Sequence, residues 1–455
     1  MMYRFIFFLI YYQAHISLAI QEPNPRVCVI GAGISGLSVA RYLKEAGINF
    51  TVFEATRYVG GTWRYDPRVR VDENGLPLHT SMYKDLRTNL PKPTMELPGF
   101  PLPDEAPSFP SWETYYEYLK SYAKHFDLEK HIKFLHQVVS VKREENYWRI
   151  KHKQIITREI FEEEYDFVVV ATGHHSKPRM PYIKGEWDFK GTIIHSHSYR
   201  TSEPYKCRRV LVIGGGPSGM EIGLALTDVC SKVFHSHHSR VNFRTPFPKN
   251  YVKKPDVTQL NETGAFFADG SFEEIDDIIY CTGYEYYFPF FDQSSQLRIS
   301  KSSVTPLHQN LVNINQPTMV MMGLVIRACF VIALDAQARY TTALITGNFS
   351  LPSQEQMMEV WRRKHDLLRA QRRPLSHIHS LGWDEDEYYA ELTRESGIER
   401  VPPVMSKIRA SDTRAILENL LTYRQYSYRV LDRENFSRTW EGSRGDEPKR
   451  ESCIP

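Results

Sequence analysis

Two glycine clusters carry the first chemical information in this chain of 455 residues: Gly31-Ala32-Gly33-Ile34-Ser35-Gly36 and Gly214-Gly215-Gly216-Pro217-Ser218-Gly219. Each has glycine at its first, third and sixth positions. That spacing lets a strand turn tightly into a helix whose free N–H groups and positive dipole end receive a pyrophosphate. Two such turns imply two nucleotide cofactors and electron transfer from one to the other.

The elements that must position the first turn are legible. Val27 to Ile30 is an apolar run of buried-strand type leading into Gly31. Beyond Gly36, Leu37, Ala40 and Leu43 share one helical face, and Gly47 follows as a C-cap. A second strand, Phe50 to Glu54, ends in an acid eighteen residues past Gly36. Strand, turn, helix, strand and acid form the order that binds an adenine dinucleotide. Gly31 permits the turn, Gly33 lets backbone N–H groups approach the pyrophosphate, Gly36 lets helix and strand pack closely, and Glu54 accepts from ribose hydroxyls.

The second turn has the same flanks and a different ending. Arg208 to Ile213 precedes it and a helix beginning at Met220 follows it. Eighteen residues past Gly219 stands His237, where the first unit has Glu54, and nearby are His235, His238, Arg240 and Arg244. An acid there would repel a 2′-phosphate and a cation would attract it. The spacing therefore predicts NADPH at the second turn, with Arg240 reading its phosphate. The histidine run does not suggest a metal, because adjacent strand positions point to opposite faces.

With NADPH at the second turn, the first is left for a flavin, and the chain resembles the flavin-containing monooxygenases over nearly its whole length after the first twenty residues. Phe189, Gly191, His195 and Tyr199 match that family's identifying motif, just before the NADPH turn. Gly60-Gly61-Thr62-Trp63 matches its Gly-Gly-x-Trp element. Ala171-Thr172-Gly173 and Cys281-Thr282-Gly283-Tyr284 resemble its two hinge strands. Ser81 to Asn89 resembles the segment carrying its active-site asparagine, and Asp335-x-Gln337-Ala338-Arg339 the segment covering the flavin. The resemblance implies an α/β fold of two Rossmann-like dinucleotide-binding domains, with the NADPH domain inserted into the FAD domain. It implies 22–174 as the first part of the FAD domain, 175–284 as the NADPH domain, and 285–455 as the rest of the FAD domain with a C-terminal helical region.

The implied activity is oxygenation of a soft nucleophile, an amine or a sulfide, by NADPH and O2 through a hydroperoxyflavin. The flavin performs the difficult step and the protein supplies a dry pocket. Gly31, Ala32, Gly33, Ile34, Ser35, Gly36, Glu54, Gly61, Thr62, Trp63, Asn89 and Gln337 are expected at FAD, and Gly214 through Gly219 with Arg240 at NADP. Asn89 is the expected catalytic group, donating a side-chain hydrogen bond near flavin and nicotinamide. His195 is expected to order the linker, His197 to be a solvated loop residue, and Tyr199 to pack. The narrower likeness is to secreted insect members that N-oxygenate plant pyrrolizidine alkaloids.

Composition agrees. A hydrophobic content of 42% and a charged content of 24% suit a globular enzyme with two cores, and a net charge of +3 does not suggest nucleic acid. Pro91 to Pro110 reads as an irregular surface loop. The apolar stretch Thr318 to Ala338 is interrupted by Gly323, Arg327 and Asp335, so it suits a strand and helix against the flavin and not a membrane span. Arg4, an apolar run from Phe5 to Tyr12 and the small residues Ser17-Leu18-Ala19 read as a cleavable signal peptide over 1–19, hence a secreted protein. The alternative is a retained anchor. Four sequons, at Asn49, Asn261, Asn348 and Asn435, agree with the secretory route.

Other readings share parts of the pattern. A disulfide reductase needs a close cysteine pair, and no two of the six cysteines lie within twenty residues of each other. A Baeyer–Villiger monooxygenase usually ends the motif in tryptophan, where this chain has Tyr199-Arg200. A secreted flavoprotein or small-molecule carrier with little turnover would keep the glycines without the chemistry.

Overall fold

The computed structural model describes residues 24–238, 241 and 243–442. The signal-peptide expectation, Arg240 and the last thirteen residues lie outside them.

Strand β1 (Arg26–Ile30) runs through the first turn into helix α1 (Ile34–Glu45) and returns as β2 (Asn49–Glu54). Helix α2 (Trp112–His125) leads to β3 (Ile132–Phe134), which extends the sheet beside β2. An antiparallel meander follows, β4 (His136–Arg143), β5 (Trp148–Gln154) and β6 (Ile160–Tyr165). The chain then re-enters the first sheet as β7 (Phe167–Val170), parallel to β1 on the side away from β2. Met319–Met321 adds a further parallel strand beside β7, and a hairpin of Leu307–His308 and Val312–Asn313 closes the seven-stranded sheet. Nearly every central-strand residue is buried, as a parallel sheet covered on both faces requires.

The chain leaves this sheet through β8 (Lys177–Pro178) and enters the second at β9 (Thr192–His195). Then come β10 (Arg209–Ile213), the second turn, α3 (Pro217–Leu226), β11 (Lys232–Ser236) and β12 (Tyr251–Lys254). A small antiparallel sheet of β13 (Val257–Leu260), β14 (Gly264–Phe267) and β15 (Phe272–Glu274) precedes β16 (Asp277–Tyr280). The second sheet is parallel, in the order β12-β11-β10-β16-β9. The return segment β17 (Tyr284–Glu285) pairs antiparallel with β8, so the two connections form one ribbon between the sheets. The second unit is thus an insertion in the first.

Helix α4 (Phe330–Ile345) packs on α1 beneath the first turn, with Leu334, Ala338 and Leu37 in one core. The interrupted apolar stretch is therefore a strand and a helix, and no described helix is long and apolar enough to cross a membrane. Helices α5 (Gln354–Ala370), α6 (Glu385–Ser396) and α7 (Val404–Glu418) complete the C-terminal region.

The proline-rich segment is irregular as expected, but it does not lie wholly on the surface: Met95, Leu97, Leu102 and Phe109 are buried, while Pro98, Gly99, Pro101, Pro103, Asp104, Glu105 and Pro107 are exposed. Its backbone finds partners in α2 instead of in a sheet. The Tyr115 hydroxyl donates to Met95 O at 2.8 Å, while the Tyr118 hydroxyl accepts from Leu97 N at 2.7 Å and donates to Phe100 O at 2.7 Å.

Candidate functional site

Both glycine turns lie where a parallel sheet offers a crevice, between the carboxyl ends of two neighbouring strands that leave in opposite directions. The two use the same bonds. Gly31 N donates to Phe53 O at 2.8 Å and Ala171 N to Ile30 O at 2.9 Å; Gly214 N donates to Ser236 O at 2.9 Å and Cys281 N to Ile213 O at 2.7 Å. Gly31 and Gly214 have φ of +105° and +126°, and a Cβ on either would fall 2.7 Å from Ala171 O or 2.2 Å from Cys281 O. A Cβ on Gly36 would fall 1.9 Å from Gly31 O, and one on Gly219 at 1.9 Å from Gly214 O. These glycines serve close backbone approach.

Around the first turn, Glu54 is buried at the end of β2 and accepts from Ala32 N through Oε2 at 2.9 Å and from Thr56 N through Oε1 at 2.9 Å. Its carboxylate both ties the turn to β2 and keeps acceptor capacity for a hydroxyl. Gly60 N donates to Ala32 O at 2.9 Å, and Gly61, with φ +56°, brings its backbone against Gly33, where a Cβ would fall 2.9 Å from Gly33 Cα. Thr62 and Trp63 are thereby set beside the turn, with Trp63 tilted on Tyr115 at 4.4 Å. Ile34 and Ser35 are buried in the first turn of α1.

The residues fit FAD here. The Thr62 Oγ1 and Thr88 Oγ1 hydroxyls are buried with no hydrogen-bond partner among the described residues. Buried hydroxyls are normally satisfied, so these two suit a polar group entering from outside. Asn89 follows Thr88 and is exposed, on a backbone held by Thr88 N to Pro110 O at 2.9 Å. Gln337 is already engaged within the protein. It is fully buried in α4, its Oε1 accepts from Gly323 N at 3.0 Å, and its Nε2 donates to the Tyr388 hydroxyl at 2.9 Å. Its amide holds up the chain at Gly323.

At the second turn, Gly216, Pro217 and Ser218 are exposed, and a Cβ on Gly216 would meet nothing within 4 Å. This open cradle at the N-terminus of α3 fits a pyrophosphate. His235 is not one of its cations. Buried in β11, it donates from Nε2 to Gly214 O at 2.8 Å and accepts at Nδ1 from the Tyr251 hydroxyl, and burial pushes it down to about 4. It is a neutral prop behind the turn. His237 has a buried Nδ1 without a partner among the described residues, and burial together with the charge of Lys253 lowers its pKa. Lys253, on β12, is a cation that no sequence pattern singled out. Arg244 and His238 are exposed.

The middle motif joins the two units. His195 is buried at the end of β9, interacts through Nε2 with Gly283 O at 3.0 Å, and accepts from His197 N at 3.0 Å. Burial pushes it down to about 4, so it is a neutral strut across the ribbon. Tyr199 is buried edge-on to Tyr83 at 5.5 Å. His197 is not the solvated residue expected: it is 6% exposed and bonds Leu78 O through Nε2 at 2.9 Å. The neighbouring Arg200 is buried among carbonyls, donating to Asp66 O at 2.7 Å, Arg68 O at 2.8 Å, His197 O at 2.8 Å and Tyr199 O at 3.0 Å. It nails the motif to the loop after Trp63. The sequence held a signal for it, a cation directly after the motif's tyrosine.

Among the described residues no group of histidine, cysteine and acidic side chains could hold a metal. The arrangement therefore offers two dinucleotide cradles, one on each parallel sheet, a ribbon that joins the two units, and an exposed asparagine on the 83–89 segment.

Comparison with known proteins agrees with this geometry. Residues 24–242 and 249–445 match the family model described as flavin-binding monooxygenase-like. Senecionine N-oxygenase of Tyria jacobaeae is 41% identical over 94% of this chain and 93% of its own. The flavin-containing monooxygenase FMO GS-OX3 of Arabidopsis thaliana is 32% identical over 84% of this chain and 86% of its own. Among solved structures, the S-allyl-L-cysteine S-oxygenase of Allium sativum superposes with a TM-score of 0.82 at 27% identity, covering 88% of this chain and 95% of that one.

Proposed function

The chain belongs to the family of flavin-binding monooxygenase-like proteins, and on that premise we propose that its nucleophile is the tertiary amine of a plant alkaloid of the senecionine type. As a member it is an oxidoreductase that uses FAD and NADPH to place one oxygen atom of O2 on nitrogen or sulfur. The observation that carries the substrate is the 41% identity, spread over 94% of the chain, to an enzyme named for senecionine.

The bound flavin supplies the oxygen chemistry; the chain's residues bind, orient and exclude water. The first turn, with Glu54, would hold the dinucleotide part of FAD, and Gly61 to Trp63, set against that turn, would lie along it. The second turn would hold NADPH, and His195, bonded to Gly283 O, braces the ribbon that joins the two units. Asn89, exposed on its segment, would offer an amide donor and acceptor to the bound cofactors. No side chain need move a proton to or from a tertiary amine, because an unprotonated amine is already the nucleophile.

The test is a screen of senecionine, simple tertiary amines and sulfides, reading product N-oxide or S-oxide against NADPH consumed. Senecionine N-oxide formed stoichiometrically with NADPH supports the reading. Efficient oxygenation of sulfides with none of senecionine overturns it.

NADPH preference over NADH rests on the missing acid after the second turn and on Arg240. Arg240→Ala is expected to raise the KM for NADPH about tenfold, the worth of a charge-assisted hydrogen bond to phosphate, and to leave the KM for NADH unchanged. Equal effects on both would pass the 2′-phosphate to another cation, with Lys253 the first to try.

Secretion is proposed from the apolar run at Phe5 to Tyr12 and the small residues that follow it. Exposed sequon asparagines Asn49, Asn348 and Asn435 would be open to glycosylation. Secreted material should begin near Ile20; a retained Met1 in a membrane fraction would replace the signal peptide with an anchor.

A further inference from the structure

The end of α7 and the segment after it reach both nucleotide-binding units. Leu417 O accepts from Arg244 N at 2.9 Å, and Leu420 N donates to Thr245 Oγ1 at 2.9 Å, which ties it to the loop after β11. Seven residues past Leu417, Arg424 makes three further connections. Its Nη2 lies 2.6 Å from Glu221 Oε1, in the first turns of α3 and two residues past Gly219. Its Nε donates to Thr88 O at 3.0 Å and its Nη2 lies 3.4 Å from Arg87 O. One guanidinium therefore grips the helix behind the NADPH turn and the carbonyl of the residue before Asn89.

The surroundings make Glu221 a meeting point. Its Oε2 accepts from the Tyr83 hydroxyl at 2.9 Å, on the same segment as Asn89, and the Tyr423 hydroxyl lies 3.5 Å from Oε1. Burial, reinforced by the Glu221 charge, raises both tyrosines well above their usual range, so both stay protonated donors. Asp412, 1% exposed and without a hydrogen-bond partner among the described residues, also feels the Arg424 charge, but burial pushes its carboxyl up to about 8. Glu221, in direct contact, is the carboxylate that Arg424 pairs with. A planar guanidinium can serve a carboxylate and two carbonyls at once; an ammonium cannot hold that geometry.

We propose that Arg424 is a positioning residue that couples NADP(H) at the second turn to the placement of Asn89. It acts in two separable ways. By neutralising Glu221 it removes a negative charge from beside the pyrophosphate cradle. By holding the Thr88 and Arg87 carbonyls it fixes the backbone that carries Asn89.

The proposal rests on Asn89 lying at the reacting centre, so Asn89→Ser is measured beside it. The holoenzyme is tested for NADP⁺ affinity, by titration followed in flavin absorbance, and for the fraction of NADPH oxidation that ends as hydrogen peroxide. FAD content and melting temperature report folding. Arg424→Ala should weaken NADP⁺ binding about tenfold, the worth of one charge-assisted hydrogen bond, and should raise the peroxide fraction. Glu221→Gln added to Arg424→Ala should restore affinity and leave the peroxide fraction high, because the carbonyls remain unsupported. Arg424→Lys, which keeps the charge and loses the fork, should bind NADP⁺ normally and still leak peroxide; it also serves where the alanine variant does not fold. Unchanged affinity and unchanged coupling in Arg424→Ala, or normal coupling in Arg424→Lys, would overturn the proposal. Normal coupling in Asn89→Ser with leakage in Arg424→Lys would retain the clasp and assign its effect to another group on the 83–89 segment.

Discussion

Gly219→Ala is expected to purify yellow, with a full complement of FAD, and to lose NADPH oxidation. The added Cβ would fall 1.9 Å from Gly214 O and 3.1 Å from His235 Nε2. Neither neighbour can yield. Gly214 O accepts from His235 at 2.8 Å, and His235 is wedged by the Tyr251 hydroxyl in a fully buried position. Overpacking of this kind costs about 1–3 kcal/mol, and here the strain is relieved by moving the loop that must meet the pyrophosphate. The KM for NADPH should rise at least about a hundredfold, the equivalent of two lost backbone-to-phosphate hydrogen bonds. FAD should stay because its sheet has a separate core and its own turn. The mirror change, Gly36→Ala, places a Cβ 1.9 Å from Gly31 O and should give colourless protein. Flavin-to-protein absorbance ratios and NADPH oxidation rates decide both. Loss of FAD from Gly219→Ala would show that the two units do not fold separately.

Asn89→Ser is expected to keep FAD and NADPH oxidation and to lose product by about a hundredfold, by analogy with removal of one oxyanion-hole donor. The backbone at Asn89 is held without its side chain, through Thr88 N to Pro110 O at 2.9 Å and Arg424 Nε to Thr88 O at 3.0 Å, so the change is local. An asparagine amide reaches farther than a serine hydroxyl and presents a donor and an acceptor on separate atoms. Shortening it admits water where a dry pocket is needed, and electrons from NADPH then leave as hydrogen peroxide. Product and peroxide measured per NADPH consumed give the answer; unchanged coupling would reduce Asn89 to a loop residue.

The parts of the site legible in the sequence are those set by local backbone geometry. Gly31, Gly36, Gly214 and Gly219 are required because a strand cannot turn into a helix that closely with a Cβ in the way, and that constraint acts within a span of six residues. Glu54 follows from the length of one helix and one strand. The middle motif gave His195 its strut role because it lies between two recognisable turns.

What the tertiary structure decided depends on partners far along the chain. His197 is buried because Leu78, 119 positions away, offers it a carbonyl. Met95 and Leu97 are buried within the proline-rich segment because Tyr115 and Tyr118 of α2 satisfy its backbone. Gln337 is tied to Gly323 and Tyr388, and His235 is neutral because it is buried behind the turn, between Gly214 and Tyr251. The pairing of Arg424 with Glu221, 203 positions apart, has no local periodicity to betray it. The sequence by itself determined that two dinucleotides bind and which backbone turns receive them, since short-range sterics write that into glycine spacing. Only the folded chain decided which polar side chains stay open to a ligand and which are spent on the protein, because a side chain's free hydrogen-bonding capacity is settled by whatever the fold brings beside it.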